Sequence, residues 1–183
     1  MRNQEQMTYS SKNANAAGRG YSGIQIALHW LIAALVAFQL IFGESMTASV
    51  DAMAEGGTAS TFDQAVANLH YWFGISILAL VVLRLFVRLT HGAPVSPDGI
   101  PGWMAVASRI THWFFYALLV AVPVTGLLGF YTDGPFGDIH AWAKPVFIGL
   151  IALHAGAALF HQFWLKDGLL RTMLVPAAKG EQQ

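Results

Sequence analysis

Residues 138–164 read DIHAWAKPVFIGLIALHAGAALFHQFW. His140 and His154 lie 14 positions apart in a stretch that is otherwise almost wholly oily, and His161 follows one further heptad on. On a helix advancing ~100° per residue the three imidazoles fall within about 60° of one face, and His140 and His154 stand about 21 Å apart along the axis. A neutral imidazole in an apolar setting still needs a hydrogen-bond partner or a metal. The stretch therefore poses both the fold and the chemistry.

The fold follows from its neighbours. Comparable apolar runs occupy residues 24–43, 68–89 and 106–130, with the fourth at 141–163. Each approaches or exceeds the ~20 residues that cross ~30 Å of hydrocarbon. None alternates with the period of two expected of membrane-barrel strands, and helices satisfy their own backbone in lipid. Only 11% of the 183 residues are charged against 55% hydrophobic, so four helices of a soluble bundle would lack polar outer faces. The expectation is an all-α integral membrane protein, a four-helix transmembrane bundle.

Charge orients it. Arg2, Lys12 and Arg19 precede the first span, Arg84, Arg88 and Arg109 flank the second connection, and Lys166, Arg171 and Lys179 follow the fourth span. Residues 44–67 carry Glu44, Asp51, Glu55 and Asp63 with no base, and the other loop on that side carries Asp133 and Asp138, with Lys144 just inside the fourth helix. Nine of ten basic residues thus fall on one side, which the positive-inside rule makes cytoplasmic, with both termini. The organisation expected is a flexible tail over 1–22, one membrane domain over 23–173 and a second cytoplasmic tail over 174–183. The first apolar run is too long and begins too late for a cleaved signal peptide. Residues 90–103, THGAPVSPDGIPGW, read as a surface connector.

The absence of cysteine excludes disulfides, thiolate zinc and Cys-ligated iron–sulfur clusters. The zero formal net charge gives no reason to expect nucleic acid. Of the seven histidines, His91 falls in a connector and reads as polar surface. The other six sort by depth. His70 and His140 match near the outer face, and His29 and His154 match in the inner half. Each pair comes from two different helices, as axial ligation from both sides of a flat macrocycle requires. Two bis-histidine haems explain the imidazoles. Depth favours His29 with His154 in the lower layer, while His29 with His161 and His112 with His154 stay open. His112 and His161 then read as propionate partners, quinone-site groups or interfacial residues. Gly74, Gly149 and Gly156 are small enough to admit a macrocycle or to pack helices closely. Arg84, 14 residues after His70, shares its face in the lower layer and calls for an anion such as a haem propionate, or snorkels to the interface beside Arg88. Trp30, Trp72, Trp113 and Trp142 read as interface anchors.

IQIALHW at His29, NLHYWFGISILALVVLRLFVRL around His70 and the segment from His140 to Met173 together resemble the bacterial cytochrome b561 family, related to the cytochrome b subunits of nickel-iron hydrogenases. The likeness spans residues 21–173. It implies two haems b, one held by His29 and His154 near the cytoplasm and one by His70 and His140 near the periplasm. It also implies a bacterial inner-membrane, quinone-linked oxidoreductase exchanging electrons with ubiquinone, with a periplasmic small reductant such as superoxide as donor. The short loop YTDGPFGDI leaves the donor's docking surface open. Within redox biology the rival is a membrane anchor relaying electrons from a bound redox protein. Outside it, the rival is a transporter or structural protein that uses its histidines for protons or packing. Contacts are expected with membrane lipid and not with nucleic acid, and a homodimer is an open expectation.

Overall fold

The computed structural model describes residues 20–92 and 100–177. Four long helices follow one another: α1 Gly23–Ala54, α2 Thr61–His91, α3 Gly102–Tyr131 and α4 Phe136–Phe160. A π-helical turn, His161–Leu165, and a short α5, Leu169–Thr172, complete the described chain, and no strand occurs among the described residues. All four long helices are apolar and long enough to cross a membrane, so the expected all-α architecture is the one observed. Each has at least 25 residues, or more than about 37 Å at ~1.5 Å per residue, and reaches past the ~30 Å hydrocarbon layer. Leu31, Ile41, Val82, Phe86, Leu89, Ile110, Leu153 and Leu159 are turned outward, which suits a solvent of lipid and no other.

The helix ends are written in local chemistry. Ser22 caps α1 in a capping box: the Gln25 N–H donates to Ser22 Oγ and the Ser22 N–H donates to Gln25 Oε1. Ser60 caps α2 by accepting from the Asp63 N–H at 3.1 Å. At the far end of α1, the Gly57 N–H reaches Ala52 O and the Gly56 N–H reaches Met53 O, with Gly56 at φ +74°. This is a Schellman stop, and the left-handed position is why a glycine stands there.

That stop lies beyond where the apolar run ends. The sequence closes the first span at Gly43, yet α1 continues for eleven more residues to Ala54. Residues 44–54, ESMTASVDAMA, lose hydropathy but retain residues a helix tolerates, and nothing breaks it before Gly56. The connection to α2 is only residues 55–60. Likewise His91 is not in a connector but ends α2, exposed in its last turn. The surface connector expected over residues 90–103 falls partly outside the described residues, as do the ends of both tails.

α1 packs along α2, α3 packs along α4, and α2 meets α3; α4 makes almost no close backbone approach to α1 or α2. The α3–α4 hairpin is tight because Gly129 lies against Gly137, where a Cβ would come within 2.7 Å of the Gly137 nitrogen. Tyr71 and Tyr131 join α2 to α3 through their hydroxyls at 2.8 Å. Ile32, Val36, Ile77, Val81, Tyr116, Leu119, Ala143 and Phe147 form a dry core to which every long helix contributes two residues. The Ala177 N–H donates to Tyr21 O, and Trp30 Nε1 donates to Met173 O at 2.8 Å. Both described ends of the chain therefore lie at one end of the bundle.

Candidate haem-binding site

On three of the four long helices the core falls between an upper and a lower polar position: His29 and Gln39 on α1, His70 and Arg84 on α2, His140 and His154 on α4. The core thus separates two layers of imidazoles. In the upper layer the His70 and His140 rings face each other, centres 5.8 Å apart and planes at 76°. In the lower layer the His29 and His154 ring centres are 6.3 Å apart, with planes at 61°.

These separations can be weighed against a shared metal. A metal–imidazole bond of ~2 Å, its length at zinc, plus about 1.2 Å from nitrogen to ring centre, puts two opposed imidazoles about 6 Å apart. Both pairs fall near that value. Each also bridges α4 to a helix it scarcely touches otherwise, so the space between is held open by the backbone. Among the described residues no three His, Asp or Glu side chains converge as a bare metal ion requires. Paired imidazoles without a third ligand suit a metal that brings its own equatorial donors, as haem iron does.

The ring nitrogens support the same fit. His140 Nδ1 donates to Val122 O at 2.8 Å, which leaves Nε2 as the unprotonated atom, the usual arrangement of a ligating histidine. The close seat depends on Gly126, where a Cβ would fall 2.9 Å from His140 Nδ1. His70 rests against Gly43, whose Cβ position lies 4.0 Å from His70 Cε1.

The lower layer is more crowded. His154 has His112 at 5.4 Å and Phe115 at 5.3 Å as well as His29. His112 Nδ1 donates to Ser108 O at 2.6 Å, one turn back on its own helix. The structure thus brings His112 to His154 as well. It does not bring His161 to His29: His161 is buried at the start of the π-turn, and its Nδ1 donates to Asp167 Oδ2. Asp167 Oδ1 in turn accepts from the Leu169 N–H at 3.0 Å. The reversal that returns Asp167 to His161 uses Lys166 at φ +52° and Gly168 at φ +75°.

Arg84 stands in the lower layer, 14 residues after His70 on α2. Its Nη1 donates to the Gln25 carbonyl at 3.1 Å, and no carboxylate pairs with it among the described residues. Arg88 instead lies over the Tyr116 ring at 5.9 Å. At the upper end Lys144 of α4 pairs with Glu44 of α1.

Two readings of small residues need correction. Gly149 and Gly156 face open space, about 180° from His140 and 200° from His154 respectively at ~100° per residue. They line neither layer and pack no helix. Gly74 lies against Gln39, where an added Cβ would stand 3.5 Å from Nε2. Sequence reasoning passed over Gly126, Gln39 and Asp167. Only Asp167, three residues after Trp164 and six after a histidine, carried even a faint local signal. All six tryptophans are exposed, as interface anchors are.

Comparison with known proteins agrees with this geometry. Residues 20–176 match the family model for prokaryotic cytochrome b561. The chain is 34% identical over 162 residues to "Cytochrome b562" of Cereibacter sphaeroides, covering 86% of this chain and 96% of that one. It is 29% identical to "Probable superoxide oxidase CybB" of Yersinia pestis, covering 87% and 98% of the two chains. It is 28% identical to "Cytochrome b561 homolog 1" of Escherichia coli K12, covering 84% and 96%. Paired imidazoles within a bundle of four apolar helices and a family match across nearly the whole fold lead to one conclusion: the chain belongs to the prokaryotic cytochrome b561 family, as a multi-pass inner-membrane protein that binds haem b and transfers electrons.

Proposed function

We propose that the chain passes single electrons between a periplasmic donor and ubiquinone through two haems b, one held by His70 and His140 and the other by His29 and His154. The observation that carries this reading is the pair of imidazole clasps, 5.8 and 6.3 Å between ring centres, on either side of one dry core. Bound there, each haem would supply a one-electron iron couple, with the paired imidazoles as the residues that would hold it. Arg84 would provide a fixed positive charge for a propionate of a haem held there. The five bases Arg84, Arg88, Arg109, Lys166 and Arg171 gather at the lower end, which we therefore place in the cytoplasm with both tails.

Quinone reduction consumes two electrons and two protons, and the lower end offers a group to deliver the protons. Asp167 holds His161 at Nδ1, fixing the orientation of its ring. His161 Nε2 is then the atom that hands a proton to a quinone oxygen. For the donor we propose superoxide, in line with the name of the Yersinia pestis relative, a probable superoxide oxidase. Two superoxide ions each lose one electron to become dioxygen, and one quinone with two protons becomes one quinol.

A second reading has a specific observation behind it. The outer end carries Glu44, Asp51, Glu55, Asp63, Asp133 and Asp138, and its single base, Lys144, is already engaged by Glu44. Such a surface repels an anion and attracts a basic redox protein, which is the membrane-relay role.

Purified protein should give a reducible haem b spectrum and two haems per chain in a pyridine haemochrome assay. Stopped-flow reduction by superoxide, followed by reoxidation with a short-chain quinone, tests the reaction. Replacing His70 or His140 should remove one haem component, and replacing His29 or His154 the other. Retention of the lower haem in His154→Ala, with loss in His112→Ala or His161→Ala, would defeat the lower pairing. A donor rate that rises with salt favours superoxide against the acidic face; no reduction by superoxide at any salt favours the relay.

A further inference from the structure

The upper clasp is held unequally. His140 has its Nδ1 bonded to Val122 O, whereas His70 Nδ1 is buried with no hydrogen-bond partner. The other buried side-chain atom without a partner among the described residues is Gln39 Oε1. These two atoms are complementary, one a ring N–H and the other an amide carbonyl. They also belong to residues already joined, since Gln39 Nε2 donates to the His70 carbonyl at 2.8 Å. That bond fixes which end of the amide is which, because the carbonyl can receive only the NH2. Gln39 sits one turn along α1 from Gly43, the residue against which the His70 ring rests, and Gly74, one turn after His70, leaves room for the amide.

We propose that Gln39 is the positioning residue of His70: its amide clamps that residue twice, Nε2 on the main-chain carbonyl and Oε1 on the Nδ1 proton. The second contact is closed by a small turn of the amide or by one bridging water. The clamp does for His70 what the Val122 carbonyl does for His140. It holds the proton on Nδ1 and presents Nε2, unprotonated, toward the opposite ring. An acceptor on the far nitrogen makes an imidazole a stronger electron donor to a metal, so Gln39 tunes the upper haem and not the lower one. This inference rests on the two-haem reading above.

The test is an optical redox titration of the purified full-length protein with its haem, alongside the low-temperature electron paramagnetic resonance of the oxidised form. The variants are Gln39→Glu and Gln39→Leu. A carboxylate accepts the Nδ1 proton more strongly and should lower the midpoint potential of one component. Leucine removes the acceptor and should raise the potential of that same component, with the other unmoved in both variants. Loss of the upper haem from Gln39→Leu alone, with the downward shift in Gln39→Glu, also supports the clamp. Unchanged potentials in both variants, equal movement of both components, or loss of both haems from both variants overturns it. The unmodified protein and His70→Ala separate the two failures. A single component in the former, or two in the latter, sinks the two-haem reading and the clamp with it.

Discussion

His140 on α4 donates its Nδ1 proton to the main-chain carbonyl of Val122 on α3, 2.8 Å away, across a gap that only a glycine at position 126 leaves open. The ring, its tautomer and its approach to His70 are thus set by the backbone of a neighbouring helix. A methyl at Gly126 would meet Nδ1 at 2.9 Å and Cε1 at 3.0 Å. The ring is the end of a short side chain, wedged between two helices, and has little room to yield.

Gly126→Ala should therefore cost the upper haem. Haem per chain should fall from about two toward about one, the overpacking being expressed at the ring and not in the fold. Gly149→Ala is the control, because a Cβ there touches nothing, and its haem content should match the parent's. Equal haem in all three proteins by pyridine haemochrome would show that the ring has another seat.

Arg84 offers a test of the other layer. Its guanidinium is tied to Gln25 O, one helical turn before His29. Removing a positive charge destabilises the reduced, more negative state of a nearby iron. At ~10 Å and an effective dielectric of ~20 the interaction is on the order of 1–2 kcal/mol. Arg84→Leu should lower the potential of the lower component by tens of millivolts and leave the upper one in place. Movement of the upper component instead would put the arginine in the wrong layer.

Much of this was readable from spacing alone. A separation of 14 returns a helix nearly to the same face, so His140 and His154 could be assigned to two depths before any partner was known. Hydropathy located the four helices but not their ends. Past Gly43 the residues that stop being oily go on being helical, and only Gly56 ends α1. What spacing could not carry were contacts that depend on how helices meet. Gly126 matters because His140 arrives beside it from another helix, and nothing in either segment announces that. Asp167 returns to His161 through two left-handed positions, Lys166 and Gly168, which no periodicity encodes. Gly149 and Gly156 erred the other way: small residues in an apolar run suggest close packing, yet the bundle turns them outward.

The short end of the chain is fastened by one indole. Trp30 Nε1 donates to Met173 O, and Ala177 then pairs with Tyr21. Trp30→Phe keeps the ring and removes the donor, a loss of about 1 kcal/mol for one neutral hydrogen bond. Local opening of residues 169–177 should become roughly five times more populated, seen as faster amide exchange there by mass spectrometry. Haem content should be unchanged, since the segment supplies no ligand. Unaltered exchange in that segment would mean the indole is only an interface anchor.

The His161–Asp167 pair separates electron delivery from proton delivery. Asp167 touches no ring of either clasp, and its two carboxylate oxygens are taken by His161 Nδ1 and the Leu169 N–H. Asp167→Asn keeps the shape and the Leu169 bond but removes the carboxylate oxygen that accepts from His161 Nδ1 and orients the ring. Reduction of the haems by an external donor should proceed at the parent rate, because no proton is needed for it. Reoxidation by a short-chain quinone should slow roughly 10–100-fold, the size expected when a general acid is disabled. His161→Ala should slow it at least as much, and the double variant should add nothing to the larger single effect, since the two act as one group. Additive losses, or a slowing confined to the donor half-reaction, would move the quinone away from His161 and leave Arg88 or His112 to be tried in its place.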